Sequence, residues 1–205
     1  MNFELLISFA LATSVLALSP GPDNIYVLVQ SITNGKAYGL ATVCGLILGC
    51  IIHTTLLAFG VSAIITANTT LFFGIKILGA LYLLYIAYKV YTSDARLNFD
   101  ATMTSIKSLK GLFIKGFFMN VLNPKVTIFF LAFFPGFLFS ETMSTVYQFY
   151  VLGGIFMLVS FIIFSAIALL ADQIKYYITK HQNSGIVLKW LQIIVFMGIA
   201  VFILV

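Results

Sequence analysis

The chain has 205 residues, 61% of them hydrophobic and 8% charged, with a net charge of +5. Soluble domains are closer to a quarter charged, so the composition excludes a water-soluble fold, leaves no room for a second, soluble domain, and indicates an all-α polytopic membrane protein. The positive balance is no sign of a nucleic-acid partner, because the Lys and Arg residues are spread along loops beside apolar spans, as the positive-inside rule describes.

Crossing the hydrocarbon takes about 20 apolar residues, and six segments qualify: residues 2–31, 38–65, 71–91, 112–139, 144–171 and 186–205. The first does not read as a signal peptide, since no Lys or Arg precedes its apolar run. It is interrupted by Ser19-Pro20-Gly21-Pro22-Asp23-Asn24. The two prolines lack a backbone donor and clash with the preceding turn, and Gly21 accepts conformations other residues resist. An apolar helix is therefore broken near its middle, with a carboxylate at the break. Unwound backbone and charge at that depth are tolerated only where protein or a water-filled cavity receives them.

The second span carries Ala41, Gly45, Gly49 and His53 at a spacing of four. The small residues offer a groove for close approach of another helix. His53 continues the stripe, either as a packed histidine with one hydrogen bond or as a proton carrier. Cys44 and Cys50 share this span. At about 100° per residue they point about 240° apart, so they read as packing residues and not as a disulfide. The third span ends in an aromatic, basic stretch. Residues 92–110 form the one long polar connection, with Asp94, Arg96 and Asp100, and read as a solvated linker.

The fourth span is interrupted as well, at Asn120-Val-Leu-Asn123-Pro124-Lys125. Pro22-Asp23 and Pro124-Lys125 are 102 residues apart, about half the chain, and the same shift maps spans two and three onto five and six. Three spans per half forces the halves into opposite orientations. The expected fold is thus a single transmembrane domain of six helices in two inverted repeats, 1–91 and 111–205, joined by a cytoplasmic linker. Such repeats are typical of secondary transporters, whose substrate site lies between broken helices. Lys36, Lys89, Arg96, Lys107, Lys110, Lys115, Lys175, Lys180 and Lys189 all fall on one side of this scheme, while Lys76 and Lys125 do not. Both termini are accordingly expected outside the cytoplasm. Tyr85, Tyr88, Tyr91, Tyr176, Tyr177 and Trp190 cluster at the inner ends as an aromatic belt.

New half-helices are expected to begin at about Asn24 and about Lys125, with free N–H groups suited to a carboxylate. Lys125 would reinforce that preference and Asp23 would suit an ammonium, so an amino acid zwitterion matches both. The alternative is that Asp23 and Lys125 pair with each other. Asn24, Asn120 and Asn123 either satisfy the freed backbone or line the site. Gln30 either faces the cavity or bonds another helix. The candidate substrate site is therefore Pro20, Gly21, Pro22, Asp23, Asn24, Asn120, Asn123, Pro124 and Lys125, with Asp23 and His53 as candidates for proton coupling.

The motifs Ser-Pro-Gly-Pro-Asp at 19–23 and Leu-Asn-Pro-Lys at 122–125, followed by Ile128-Phe-Phe-Leu-Ala-Phe-Phe-Pro135, resemble the lysine exporter family, LysE/RhtB. So do Lys76-Ile-Leu-Gly-Ala-Leu-Tyr-Leu-Leu-Tyr85 with Lys89, and the spacing of Gly39, Gly45 and Gly49. The resemblance spans the whole chain in order. It implies a small, multi-pass exporter of the bacterial inner (plasma) membrane, not an enzyme, which moves amino acids or related metabolites by proton antiport and works as a homo-oligomer in the lipid bilayer. His53 has no secure place in the family pattern. No cofactor is expected. Export of a cation or toxic metal is the runner-up. It would require clustered Cys, His and carboxylate ligands, and Cys44, Cys50 and His53 share a span without forming such a cluster. A thiol–disulfide electron carrier would need cysteines at the breaks, where Ser and Asn stand.

Overall fold

The computed structural model describes residues 2–93, 108–180 and 184–204. Helix α1 (Phe3–Leu18) is capped by Asn2, whose side-chain oxygen accepts from the Glu4 and Leu5 N–H groups. After three non-helical residues the chain enters α2 (Pro22–Asn34), bent by 59° from α1. Gly35, at φ 103°, turns the chain into α3 (Lys36–Leu56) in a backbone region that disfavours any side chain. A π-helical segment (Leu57–Val61) carries α3 into α4 (Ser62–Ala67). Helix α5 (Thr69–Thr92) follows, with the Asn68 side chain accepting from Leu71 N–H.

The second half opens with α6 (Leu109–Val121), then α7 (Pro124–Phe133) at 50° to it, and a 3₁₀ turn (Phe134–Phe137). Helices α8 (Thr145–Leu169), α9 (Ala171–Lys180) and α10 (Ser184–Leu204) complete the chain. Among the described residues four helical stretches are long and apolar enough to cross a membrane, and the number is six if each bent pair counts as one.

Both breaks fall where the prolines place them, yet the new helices start at Pro22 and Pro124, slightly before the expected Asn24 and Lys125. Proline is suited to the first helical position, since its fixed φ is helical and its missing N–H has no partner to lose there. The sequence reading has no counterpart to α9. Ten residues containing Asp172, Lys175 and Lys180 are too short and too polar to qualify as a span. The expected linker at 92–110 shows only its edges, because residues 94–107 lie outside the described residues.

Two packing features position the site. First, α3 and α6 meet backbone to backbone. A Cβ on Gly45 would run into the Phe113 carbonyl and sit 2.8 Å from Phe117 N. A Cβ on Gly116 would collide with the Thr42 carbonyl, and one on Gly49 would lie 2.8 Å from Asn120 Oδ1. The small-residue stripe of span two thus receives α6 and carries Asn120 with it. Secondly, a block of phenyl rings packs α7 and the 3₁₀ turn against α1 and α8. Phe130 stacks on Phe134 at 4.1 Å between centroids, Phe129 on Phe133 at 4.5 Å, and Phe9 meets Phe134 edge-on at 4.9 Å.

The two ends of the bundle are distinct. At one, Asn2 N–H donates to the Phe139 carbonyl, and the Gln148 side chain holds the turn through Phe139 N, Ser140 N, Ser140 O and Met143 O. At the other, the Lys189 ammonium donates to the Ser93 carbonyl at 2.7 Å, and Tyr91 lies 6.1 Å from Trp190. The start of α1 therefore shares an end with the 139–143 turn, and the end of α5 meets the start of α10 at Ser93 and Lys189. The six aromatics expected as a belt are all exposed on the protein surface.

Candidate functional site

A helix that stops inside a bundle leaves carbonyls without partners, and the chain must supply donors. At the first break Asn24 does this. Its amide donates to Ala17 O at 2.7 Å and Ser19 O at 3.3 Å. At the second break the donor is His53. A carbonyl oxygen can only accept, so Nε2 carries the hydrogen in its 3.1 Å bond to Asn120 O. His53 is buried beside the Phe130 ring and does not line the cavity described below.

The two breaks are joined across the bundle by Asn123. Its side-chain oxygen accepts from Lys125 N–H at 3.0 Å and so caps α7. Its amide reaches the Asp23 carboxylate, at 3.1 Å from Oδ2 and 3.4 Å from Oδ1. One side chain thereby fixes the start of α7 and holds the carboxylate at the start of α2, 100 residues away. On α2 no side chain caps the first turn, so its N-terminal N–H groups keep their positive character. Gly21 is buried, and a Cβ there would lie 3.3 Å from Lys125 Nζ, so the absent side chain makes room for the ammonium. Lys125 Nζ also sits 4.5 Å from the centroid of the buried Phe196 ring, a cation–π contact. Among the described residues Asp23 and Lys125 do not form a close ion pair, although both face one cavity. Holding two charges out of water costs roughly several kcal/mol per ion. A neutral amide on one, a ring face on the other and the attraction between the two charges each offset part of that cost.

The shared cavity has a volume of about 40 Å³, room for about one to three waters and far below the roughly 300 Å³ of a small ligand pocket. Asp23, Asn24, Asn120 and Lys125 line it, together with two polar residues from the unbroken spans, Cys50 and Ser160. Its apolar wall includes Leu46, Phe156 and Phe164. A larger cleft of about 690 Å³ lies beside it, bordered by Pro20, Asn24, Leu170, Tyr177 and Val187. The cleft occupies the end of the bundle that carries α9. Phe156, which meets Phe130 of the phenyl block at 4.9 Å, forms part of the small cavity's wall. Pro22 and Pro124 face outward as helix starters, and Gln30 is buried, accepting from Asn34 at 2.8 Å within α2.

Two cavity residues are absent from the sequence reading. Cys50 counted as packing. It is free and buried, with Sγ donating to Leu46 O at 3.5 Å and Asn120 Oδ1 at 3.8 Å, whereas Cys44 is free and faces outward. Ser160 passed unnoticed within a long apolar helix, and its signal is the stripe Phe156, Ser160, Phe164 at a spacing of four. Among the described residues no group of three or more His, Cys, Asp or Glu side chains is placed to hold a metal ion.

Comparison with known proteins adds a direct result. The family model described as LysE type translocator matches residues 14–205. A homoserine/homoserine lactone efflux protein of Salmonella typhimurium is 28% identical over 178 residues, covering 87% of this chain and 85% of the relative. A leucine efflux protein of Salmonella choleraesuis is 28% identical over 185 residues, covering 90% and 87%. These relatives are named as transporters, not as enzymes. No solved structure matches the chain.

Proposed function

The chain belongs to the LysE type translocator family, and from that premise we propose that it is a secondary-active exporter of amino acids or closely related metabolites across the bacterial inner membrane. The observation that carries this reading is the meeting of two helix breaks on one cavity that holds a carboxylate and an ammonium. An amino acid presents an ammonium to Asp23, and a carboxylate to Lys125 and the free N–H groups of α2. The relatives named for homoserine, homoserine lactone and leucine agree with a small substrate of this kind.

Transport proceeds by alternating access of two inverted halves, 1–91 and 111–205. Three features support this. The breaks are matched, bent by 59° and 50°. The first helix of each half packs on the second span of the other half, α1 on α8 and α6 on α3. The cavity has Phe156 of the aromatic packing in its wall and shares Asn24 with the cleft on the end that carries α9, which fits a carrier nearer its inward-facing state. With the Lys-rich end in the cytoplasm, both termini lie outside. Export is coupled to inward protons, with Asp23 as the leading carrier because it borders the cavity, and His53 as the second candidate. Assembly as a homo-oligomer is part of the proposal, and light scattering of the detergent-solubilised protein checks it.

The test is efflux from cells preloaded with dipeptides, which are hydrolysed inside to single amino acids. Cells making the protein release one class faster than control cells, and Asp23→Asn loses the part of that release driven by the pH gradient. Unchanged release of every amino acid would overturn the reading, and metal tolerance would then decide the cation alternative.

A further inference from the structure

Hydroxyls inside apolar helices ordinarily satisfy themselves by bonding the carbonyl four residues back. Ser14 bonds Ala10 O, Ser31 bonds Val27 O and Thr54 bonds Cys50 O, each at 2.8 Å. Ser160 does not. It is 2% exposed, and its hydroxyl has no hydrogen-bond partner. Among the described residues several buried hydroxyls lack a partner, but of these only Ser160 borders the cavity between the helix breaks. It stands there one helical turn from Phe156 and one from Phe164, which line the same cavity. The α8 face turned to the cavity is therefore a single hydroxyl between two phenyl rings. A buried polar group without a partner costs free energy, and a bound molecule that supplies a partner recovers it.

The geometry points to Ser160 as a specificity-determining residue that hydrogen-bonds the side chain of the transported amino acid and so favours a hydroxyl-bearing substrate over its alkyl counterpart of the same shape. This rests on the proposed function. Asp23 and Lys125 match the two groups common to all amino acids. What remains to distinguish one substrate from another is the rest of the wall, where Ser160 is the polar group left without a partner inside the protein. The flanking rings accept the carbon atoms of a short side chain and exclude water from the hydroxyl.

The experiment uses inside-out membrane vesicles containing the full-length protein under an imposed pH gradient. Uptake is measured for threonine against valine and for homoserine against norvaline, pairs that exchange a hydroxyl for a methyl. Wild-type protein is expected to favour the hydroxyl member by about 3- to 10-fold in apparent KM, the worth of one neutral hydrogen bond. In Ser160→Ala the ratio falls to near one by weakening the hydroxyl member alone, while Ser160→Thr keeps the preference. The inference is overturned if wild type shows no preference, or if Ser160→Ala keeps the wild-type ratio because the hydroxyl serves only a trapped water. If wild-type vesicles take up none of the four amino acids but take up another, such as leucine, the inference falls and the exporter reading stands, whereas uptake of no amino acid at all overturns both. Equal ratios with uptake intact overturn the role of Ser160 alone.

Discussion

The Asn123 side chain joins the two breaks by hydrogen bonds, and removing its reach should open the cavity. Asn123→Ser separates its two jobs. Serine caps a helix about as well as asparagine, so the bond to Lys125 N–H is kept. It is too short to replace the amide at 3.1 Å from the Asp23 carboxylate. A hydrogen bond to a charged group is worth about 1.5–3 kcal/mol. Because this bond joins α2 to α7, it stretches as the halves move apart, and its loss favours the open form by roughly 10- to 150-fold. The chain carries its own reporter. Cys50 borders the closed cavity, and the other cysteine, Cys44, faces outward. In a Cys44→Ser background, labelling of Cys50 by a membrane-permeant maleimide follows the open fraction, as exchange from a transiently opened state does. The expected result is labelling at least about 10-fold faster in Asn123→Ser than in its background. A rate within about twofold of the background, in protein that inserts and folds normally, would refute the claim that this bond holds the cavity shut.

The α3–α6 contact predicts that Gly45→Val sharply reduces folded protein, because the new side chain meets the Phe113 carbonyl. Such overpacking against backbone costs about 1–3 kcal/mol or more, and thermal unfolding in detergent should show it, whereas Gly154→Ala, where a Cβ meets open space, should be neutral. For His53 the hydrogen bond to Asn120 O predicts that His53→Gln, which can still donate there, retains pH-driven efflux. His53→Ala removes this side-chain bond while the carbonyl keeps the Asn123 N–H, and loses about 0.5–1.5 kcal/mol of stability. Abolished coupling in a stable His53→Gln would reassign the proton to His53.

The breaks were legible because their cause is local. Proline removes a donor wherever it stands, so Pro22 and Pro124 mark helix starts without any knowledge of tertiary structure. The small-residue stripe was legible for a similar reason, since Gly45 and Gly49 open a groove whatever fills it. What fills it was not, because the identity of the partner helix is a long-range fact. Helix α9 escaped because a ten-residue amphipathic segment lacks the long apolar run that identifies a span. Ser160 escaped on different grounds. A serine in an apolar helix reads as a self-satisfied hydroxyl, and Ser14 and Ser31 behave that way. Only the three-dimensional arrangement separates Ser160 from them.

The same arrangement bears on why the site holds its charges apart. A close Asp23–Lys125 pair would satisfy both groups internally, and a zwitterion would have to break that pair before binding, at the cost that makes buried pairs hard to separate. Here each charge rests on a weaker partner, Asn123 for the carboxylate and the Phe196 face for the ammonium. Both partners can be displaced by, or shared with, a ligand of the right polarity. On the proposed reading, binding would replace modest contacts with two opposite charges, and that gain would supply the differential affinity a conformational change needs. The Asn123 bond that an entering ammonium would compete for is also the bond that ties α2 to α7. On the proposed mechanism, occupation of Asp23 and release of the two halves would be the same event, giving a substrate the means to trigger its own passage.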